Sequence, residues 1–191
     1  MSRSAGYGFD WDDVHAEERT YRFLYSPQIT RFLNYQNAQS PKTALDIGCG
    51  SGQLTRELYH RGYLTLGVDF SQNAIKHARA LTTVSENQLL YRVLDVEQDD
   101  LSVLPCQPYG LITCYLVYPF IEDKISFLKK THELLAVGGI FVLITPVCLT
   151  PEDTKKPAVS AEEFGLLSSV FKELDSYQVE DFHYFIGSQK S

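Results

Sequence analysis

No apolar run in this chain approaches the ~20 residues a helix needs to cross a bilayer, so no membrane-spanning segment is expected. The first residues, MSRSAGYGFDWDD, hold no apolar stretch of the kind a secretory leader carries. Cysteine is scarce: Cys49, Cys106, Cys114 and Cys148 fall neither in CxxC pairs nor at the density of a disulfide scaffold, which points to a reducing cytoplasm. Basic charge is in deficit, 17 Lys+Arg against 24 Asp+Glu for a formal −7, so a general binder of nucleic acid or of anionic membrane is disfavoured. No two histidines stand at i,i+4 and the cysteines are scattered, so no metal site is expected. Repeats and low-complexity tracts are missing too. What is present is a chain of 191 residues, 44% hydrophobic and 13% aromatic, enough for one filled core and too little for two full domains. A single domain over residues 1–191 is the expectation.

The first forty residues read as helical and rich in aromatic side chains. Ser26-Pro27 marks a helix start, a capping residue followed by proline at the first helical position. Ile29, Phe32, Leu33 and Gln36 then share a face, and Pro41 closes the segment. From residue 43 short apolar runs alternate with helical periods. TALDI (43–47), YLTLGVD (63–69), QLLYRVLD (88–95), YGLITCY (109–115) and IFVLITP (140–146) read as strands. Between them, Leu54 and Leu58 mark a helix stopped by Gly62; Ile75, Ala78 and Leu81 mark a second, capped by Ser71. A third, from about Asp123 to Gly138-Gly139, carries Ile125, Leu128, His132 and Leu135 on one stripe. This alternation implies right-handed crossovers and a parallel sheet with helices on both faces. Ser160 and Glu163 form a capping-box pattern opening a last helix. ELDSYQVEDF and HYFIGSQK follow too closely for a helix between them, so this pair of strands is antiparallel. The expected fold class is α/β: a doubly wound, mostly parallel sheet of seven strands ending in an antiparallel C-terminal hairpin.

The most specific stretch is ALDIGCGSGQLT (44–55), a strand followed by Gly48, Gly50 and Gly52 and then a helix. Glycines let the backbone take conformations barred to other residues and let a ligand approach the main chain. The helix start behind them offers unpaired amides to an anionic group. A dinucleotide loop places a third glycine where Gln53 stands here. The pattern is instead D-x-G-x-G-x-G, led by Asp46. A glycine triplet alone is as readily a tight turn, but this one has company. Asp69 ends the second strand 21 residues after Gly48, near the ~20-residue offset at which an acid meets ribose hydroxyls; capping the helix near Ser71 is its other available role. Asp95 ends the third strand, where it either accepts from an exocyclic amine or joins Glu97, Asp99 and Asp100 as solvated loop charge. Ligands in open α/β sheets bind along the edge where these strands end.

ALDIGCGSG, VDFS, LDV and LLAVGGIFVLITP together resemble the motif series of class I S-adenosylmethionine-dependent methyltransferases, over roughly residues 42–146. The resemblance implies a Rossmann-like core over 42–191, with 1–41 as a helical lid segment. It implies S-adenosyl-L-methionine as cofactor, with Gly48, Gly50 and Gly52 under the methionine part and Asp69 on the ribose. Phe70 and Val96 would flank the adenine and Asp95 would lie near its amine; Asp46, Cys49, Gln53 and Tyr115 complete the implied cofactor-binding set. Cys49 by itself reads as a small loop filler without basic neighbours.

The acceptor side is less legible. CYLVYPF (114–120) follows the fourth strand and does not read [DN]-P-P-[YF], the pattern of relatives that methylate amino groups of bases or of glutamine. Where many small-molecule relatives carry a histidine, this chain has Phe120. Tyr115 and Tyr118 remain as candidate catalytic residues, each with packing under the next helix as its alternative. His60, His77 and His132 fall in helices, while the sequence does not fix whether His15 or His183 reaches the pocket. The segment 1–40, with Tyr7, Phe9, Trp11, Tyr21, Phe23 and Tyr25, and the linker 147–160 are the parts of the chain available to cover an acceptor. The expected activity is methyl transfer to a small molecule. A cofactor-binding sensor or partner subunit without turnover, and a protein or RNA methyltransferase, are the alternatives.

Overall fold

The computed structural model describes residues 24–84, 87–148 and 157–190, together with the backbone of 4–5 and 9–10. The five parallel strands are β1 (Thr43–Ile47), β2 (Leu64–Asp69), β3 (Leu89–Val93), β4 (Tyr109–Tyr115) and β5 (Leu135–Thr145). The hairpin strands are β6 (Phe171–Val179) and β7 (Phe182–Gln189). They form one seven-stranded sheet in the order β6-β7-β5-β4-β1-β2-β3, with β6 and β7 antiparallel to each other and β7 antiparallel to β5. Helices α1 (Ser26–Leu33), α2 (Gln53–His60), α3 (Gln72–Ala80), α4 (Lys124–Leu134) and α5 (Ala161–Val170) surround it. The strand order reverses between β1 and β4, and the crevice there is where open α/β sheets hold ligands.

Alternation along each strand divides the core in two. Leu45 and Ile47 point to the face covered by Phe127 and Leu128 of α4. Ala44, Leu111, Val142 and Ile144 point to the other, under Ile29 and Phe32 of α1 and Leu54 and Leu58 of α2. Both faces are buried, which is why these strands read as continuous apolar runs.

Several details differ from the expectation. Ser4–Ala5 and Phe9–Asp10, read as part of a helical segment, pair as short antiparallel strands, and β3 ends at Val93, so Asp95 stands in the turn beyond it rather than at the strand's end. The cap of α1 is Tyr25 rather than Ser26; the Gln28 side chain accepts the Tyr25 amide at 2.9 Å, and the Ser26 hydroxyl accepts from Arg61 at 2.6 Å. Helix α4 ends at Leu134, and its buried residues are Phe127, Leu128, Thr131 and Leu134, while Ile125 and His132 are half-buried. Leu135 already pairs with Tyr109, and residues 136–139 bulge before Ile140 pairs with Leu111. Gly138 makes that bulge with φ +73. The caps at Ser71, Asp123 and Ser160 form as their residue types require: Ser71 Oγ accepts from Ala74 at 3.1 Å, Asp123 from Ser126 at 2.9 Å, and Ser160 from Glu163 at 3.0 Å.

Candidate functional site

The floor of the site is the turn from β1 into α2. The Gly48 and Cys49 amides both donate to the Val68 carbonyl, at 2.8 and 3.0 Å, tying the loop to β2. Gly48 has φ +66, and a Cβ there would run into Val117; Gly52 has φ +78, and a Cβ there would run into the Tyr91 ring. Glycine is therefore needed at both positions for conformation and for space. No side chain caps α2, whose first amides face the loop. Beneath, Asp46 is 2% exposed and accepts the Thr55 hydroxyl at 2.6 Å and the Thr113 hydroxyl at 2.9 Å. Its carboxyl binds β1, α2 and β4 together. Burial raises its pKa to about 6 against the two hydroxyl hydrogen bonds, and the Asp69 charge adds to the rise. Asp46 reaches the cavity floor, yet each of its oxygens already serves the scaffold. Burial and the same two carboxylates push the Cys49 thiol well up, so it is no nucleophile.

Asp69, 7% exposed at the end of β2, accepts the Gly50 amide through Oδ2 and the Ser71 amide through Oδ1, each at 2.9 Å. The helix-start role is thus observed, on a carboxylate that also lines the large cavity. Phe70, Asp95 and Val96 line a small slot of about 70 Å³ beside it, together with Val117 and Phe120. Asp95 accepts the Glu97 amide at 3.0 Å and shapes the turn after β3. Glu97, read from sequence as loop charge, accepts the Glu122 and Asp123 amides, both at 3.0 Å. It pins the far wall of the slot, a role that only long-range contact reveals.

At the end of β4 the two tyrosines part. Tyr115 lines the large cavity and meets Phe182 edge-on at 6.2 Å. Tyr118, in contrast, is fully buried among Phe127 and its neighbours, and its hydroxyl donates to the Glu163 carbonyl at 3.1 Å. It lines neither cavity, so the catalytic reading of Tyr118 is corrected to packing. Between them Leu116 takes φ +62, a costly conformation for a residue with a Cβ, and turns the chain so that Val117 lies against Gly48.

The large cavity measures about 1030 Å³ and runs from the glycine loop, including Gln53, across the ends of β4 and β5 to the hairpin. Leu24 and Ile29 bring the N-terminal helix into its wall. Asp181, Phe182 and His183 enter from the turn and the start of β7; of these only His183 drew notice in the sequence. Tyr7, Phe9, Trp11, Tyr21 and Phe23, read as lid residues, have no described side chains, and 149–156 of the linker also lie outside the described residues; Tyr25 is exposed. Among the described residues no three His, Cys, Asp or Glu side chains are grouped as metal ligands, and no helix is long and apolar enough to cross a membrane.

A methyltransferase domain model matches residues 45–141, from β1 through the first part of β5. The ubiquinone biosynthesis O-methyltransferase of Nitrosomonas europaea is 30% identical over 152 residues, 80% of this chain and 63% of that protein. Its counterpart from Nitrosospira multiformis is 28% identical, over 80% of this chain and 62% of its own length. The chain thus spans less than two thirds of the length of these relatives. Among solved structures, the N-methyltransferase NodS of Bradyrhizobium japonicum with S-adenosyl-L-homocysteine aligns with a TM-score of 0.68 and 18% identity, covering 86% of this chain and 87% of that one. The Haloferax volcanii putative methyltransferase, in complex with the Trm112 activator, aligns with a TM-score of 0.71 and 17% identity over 95% of each chain. These two likenesses carry the fold; the domain match covers half the chain and includes the glycine loop and the ends of β2 and β4. The chain belongs to the class I S-adenosylmethionine-dependent methyltransferase family.

Proposed function

We propose that this chain transfers a methyl group from S-adenosyl-L-methionine to a small-molecule acceptor. The observation that carries the reading is the meeting, at one sheet edge, of a loop that must be glycine with the carboxylates of Asp69 and Asp95. The residues present fit the cofactor in their chemistry. Asp69 offers lone pairs to vicinal ribose hydroxyls, and Phe70, Val96 and Asp95 line the slot that would receive adenine. The glycine loop and the first amides of α2 receive the methionine part. When bound, the cofactor supplies a methyl carbon already activated by a sulfonium, so the protein has mainly to align the acceptor and exclude water. The apolar wall of Tyr115, Phe120 and Phe182 suits both tasks.

A cavity of about 1030 Å³ lies at the upper end of ordinary ligand pockets and has room for an acceptor beside the cofactor. Residues 1–191 would then act as one methyltransferase domain, with 1–41 covering the acceptor; Leu24 and Ile29 in the cavity wall support this. Four free cysteines accord with a cytoplasmic setting. Calorimetry with S-adenosyl-L-homocysteine and with NAD tests the reading: binding of the first and not of the second is expected. A folded sample that ignores S-adenosyl-L-homocysteine at millimolar concentration refutes it.

A further inference from the structure

We propose that Asp46 makes the site discriminate between the sulfonium cofactor and its demethylated product. Its negative charge holds the first more tightly, and it gives up a proton when that ligand binds. The inference deepens the methyltransferase reading above and rests on it. Asp46 is 2% exposed and forms part of the cavity wall beneath the glycine loop. The Thr55 and Thr113 hydroxyls fix its orientation. Both are neutral donors, and no cation among the described residues is paired with it. A buried acid without a counter-charge is rare, because burial penalises the ionised form. In the wall of a cavity that receives a cation, the counter-charge it lacks is most simply the ligand's.

The surroundings of Asp46 supply no such charge. The titratable groups acting on it are Asp69 at the end of β2, Cys49 in the glycine loop and Cys114 on β4, acids or thiols throughout. On α2, Arg56 donates to the Ser51 carbonyl at 2.7 Å, and Glu57 is paired with Arg61 at 3.0 Å. From α1 the same side of the sheet receives the apolar Ile29. Burial is the main reason why the Asp46 carboxyl titrates at about 6, and the Asp69 charge pushes the same way. An acid poised there changes its protonation state in response to a modest field.

The two ligands differ in the charge they bring. S-adenosyl-L-methionine carries a sulfonium and an ammonium against a single carboxylate, whereas S-adenosyl-L-homocysteine has a thioether in place of the sulfonium and is neutral overall. Charges act on one another through a dry wall without contact, and more strongly as the local dielectric falls. The excess positive charge favours ionised Asp46, and by linkage ionised Asp46 favours the sulfonium ligand. Affinity for S-adenosyl-L-methionine therefore rises as pH increases through about 6, while affinity for the product stays level. Once the methyl group has passed to the acceptor, with the carbon–sulfur electron pair left on sulfur, the counter-charge is gone. Near pH 6 Asp46 then takes a proton back from water, and the hold on the product slackens.

Calorimetry on the parent and on Asp46→Asn, with each of the two ligands at pH 5, 6 and 7, tests the proposal without an acceptor. The parent should gain about 5–10-fold in affinity for S-adenosyl-L-methionine from pH 5 to 7 and change less than about twofold for S-adenosyl-L-homocysteine. At pH 6, buffers of different ionisation enthalpy should report release of about half a proton with the first ligand and none with the second. Asp46→Asn should bind S-adenosyl-L-homocysteine within about threefold of the parent, which shows that it folds, and should lose both the slope and the proton release. Carbon NMR of the parent's carboxyl groups gives a readout that needs no variant. The Asp46 midpoint should fall to about pH 5 or lower with S-adenosyl-L-methionine and stay in place with the product. An equal slope for the two ligands, a slope retained by Asp46→Asn, or a midpoint that S-adenosyl-L-methionine does not move overturns the proposal. Failure of the parent to bind either ligand removes it together with the reading on which it rests.

Discussion

The Asp69 carboxylate accepts the Gly50 amide at 2.9 Å, so the acid that faces the cavity also fixes the loop forming its floor. Ligand affinity and loop order are therefore coupled through one side chain. Asp69→Ala should lower the affinity for S-adenosyl-L-homocysteine by about 10–150-fold, the equivalent of losing charge-assisted hydrogen bonds of about 1.5–3 kcal/mol. Asp69→Asn keeps one carbonyl oxygen for the amides and should fall between parent and Ala in both affinity and Tm. Calorimetry and thermal unfolding check both, and an Ala variant within twofold of the parent would place the ribose elsewhere.

Asp46 makes stability depend on pH in an unusual direction for an acid. Its folded pKa of about 6 lies above the value of 3.8 for a free carboxyl, so the folded state holds the proton more tightly than the unfolded one. The contribution is complete below pH 3.8 and is lost as pH rises through about 6. For this buried group the loss is at most about 3 kcal/mol. Asp46→Asn should flatten the fall in unfolding free energy between pH 4.5 and 7, measured by urea titration. An unchanged slope would show that Asp46 ionises without cost.

Gly48 and Val117 should be energetically coupled. Gly48→Ala adds both a positive-φ penalty and a collision with the Val117 side chain, and should destabilise the fold by about 2–4 kcal/mol. Val117→Ala removes the collision and leaves the backbone penalty. The double variant should recover more than 0.5 kcal/mol relative to additivity, a coupling that denaturant unfolding resolves; strict additivity would mean the two side chains do not meet.

The two tyrosines should separate by readout. Tyr118→Phe loses the hydrogen bond to the Glu163 carbonyl and should cost about 1 kcal/mol of stability with no change in cofactor affinity. Tyr115→Ala empties part of the cavity wall and should lower methyl transfer by at least 10-fold while changing Tm little. A reversal of these two patterns would return Tyr118 to the site.

The sequence by itself determined which apolar runs are strands, and it determined the glycine loop. Apolar runs buried on both faces, glycines at positive φ and capping residues are local requirements, and local requirements are written in consecutive residues. Tertiary structure decided the rest. Tyr115 ends β4 and Tyr118 opens a short 3-10 turn beyond Leu116 at φ +62, so neither the period of a strand nor that of a helix tells which of them faces the cavity. Glu97 gains its role from amides 25 and 26 residues away. Phe182 and His183 reach the site only because the hairpin pairs antiparallel with β5 in the register that sets His183 beside Thr145. A shift of one residue would exchange their faces, and that register is fixed by packing between distant segments.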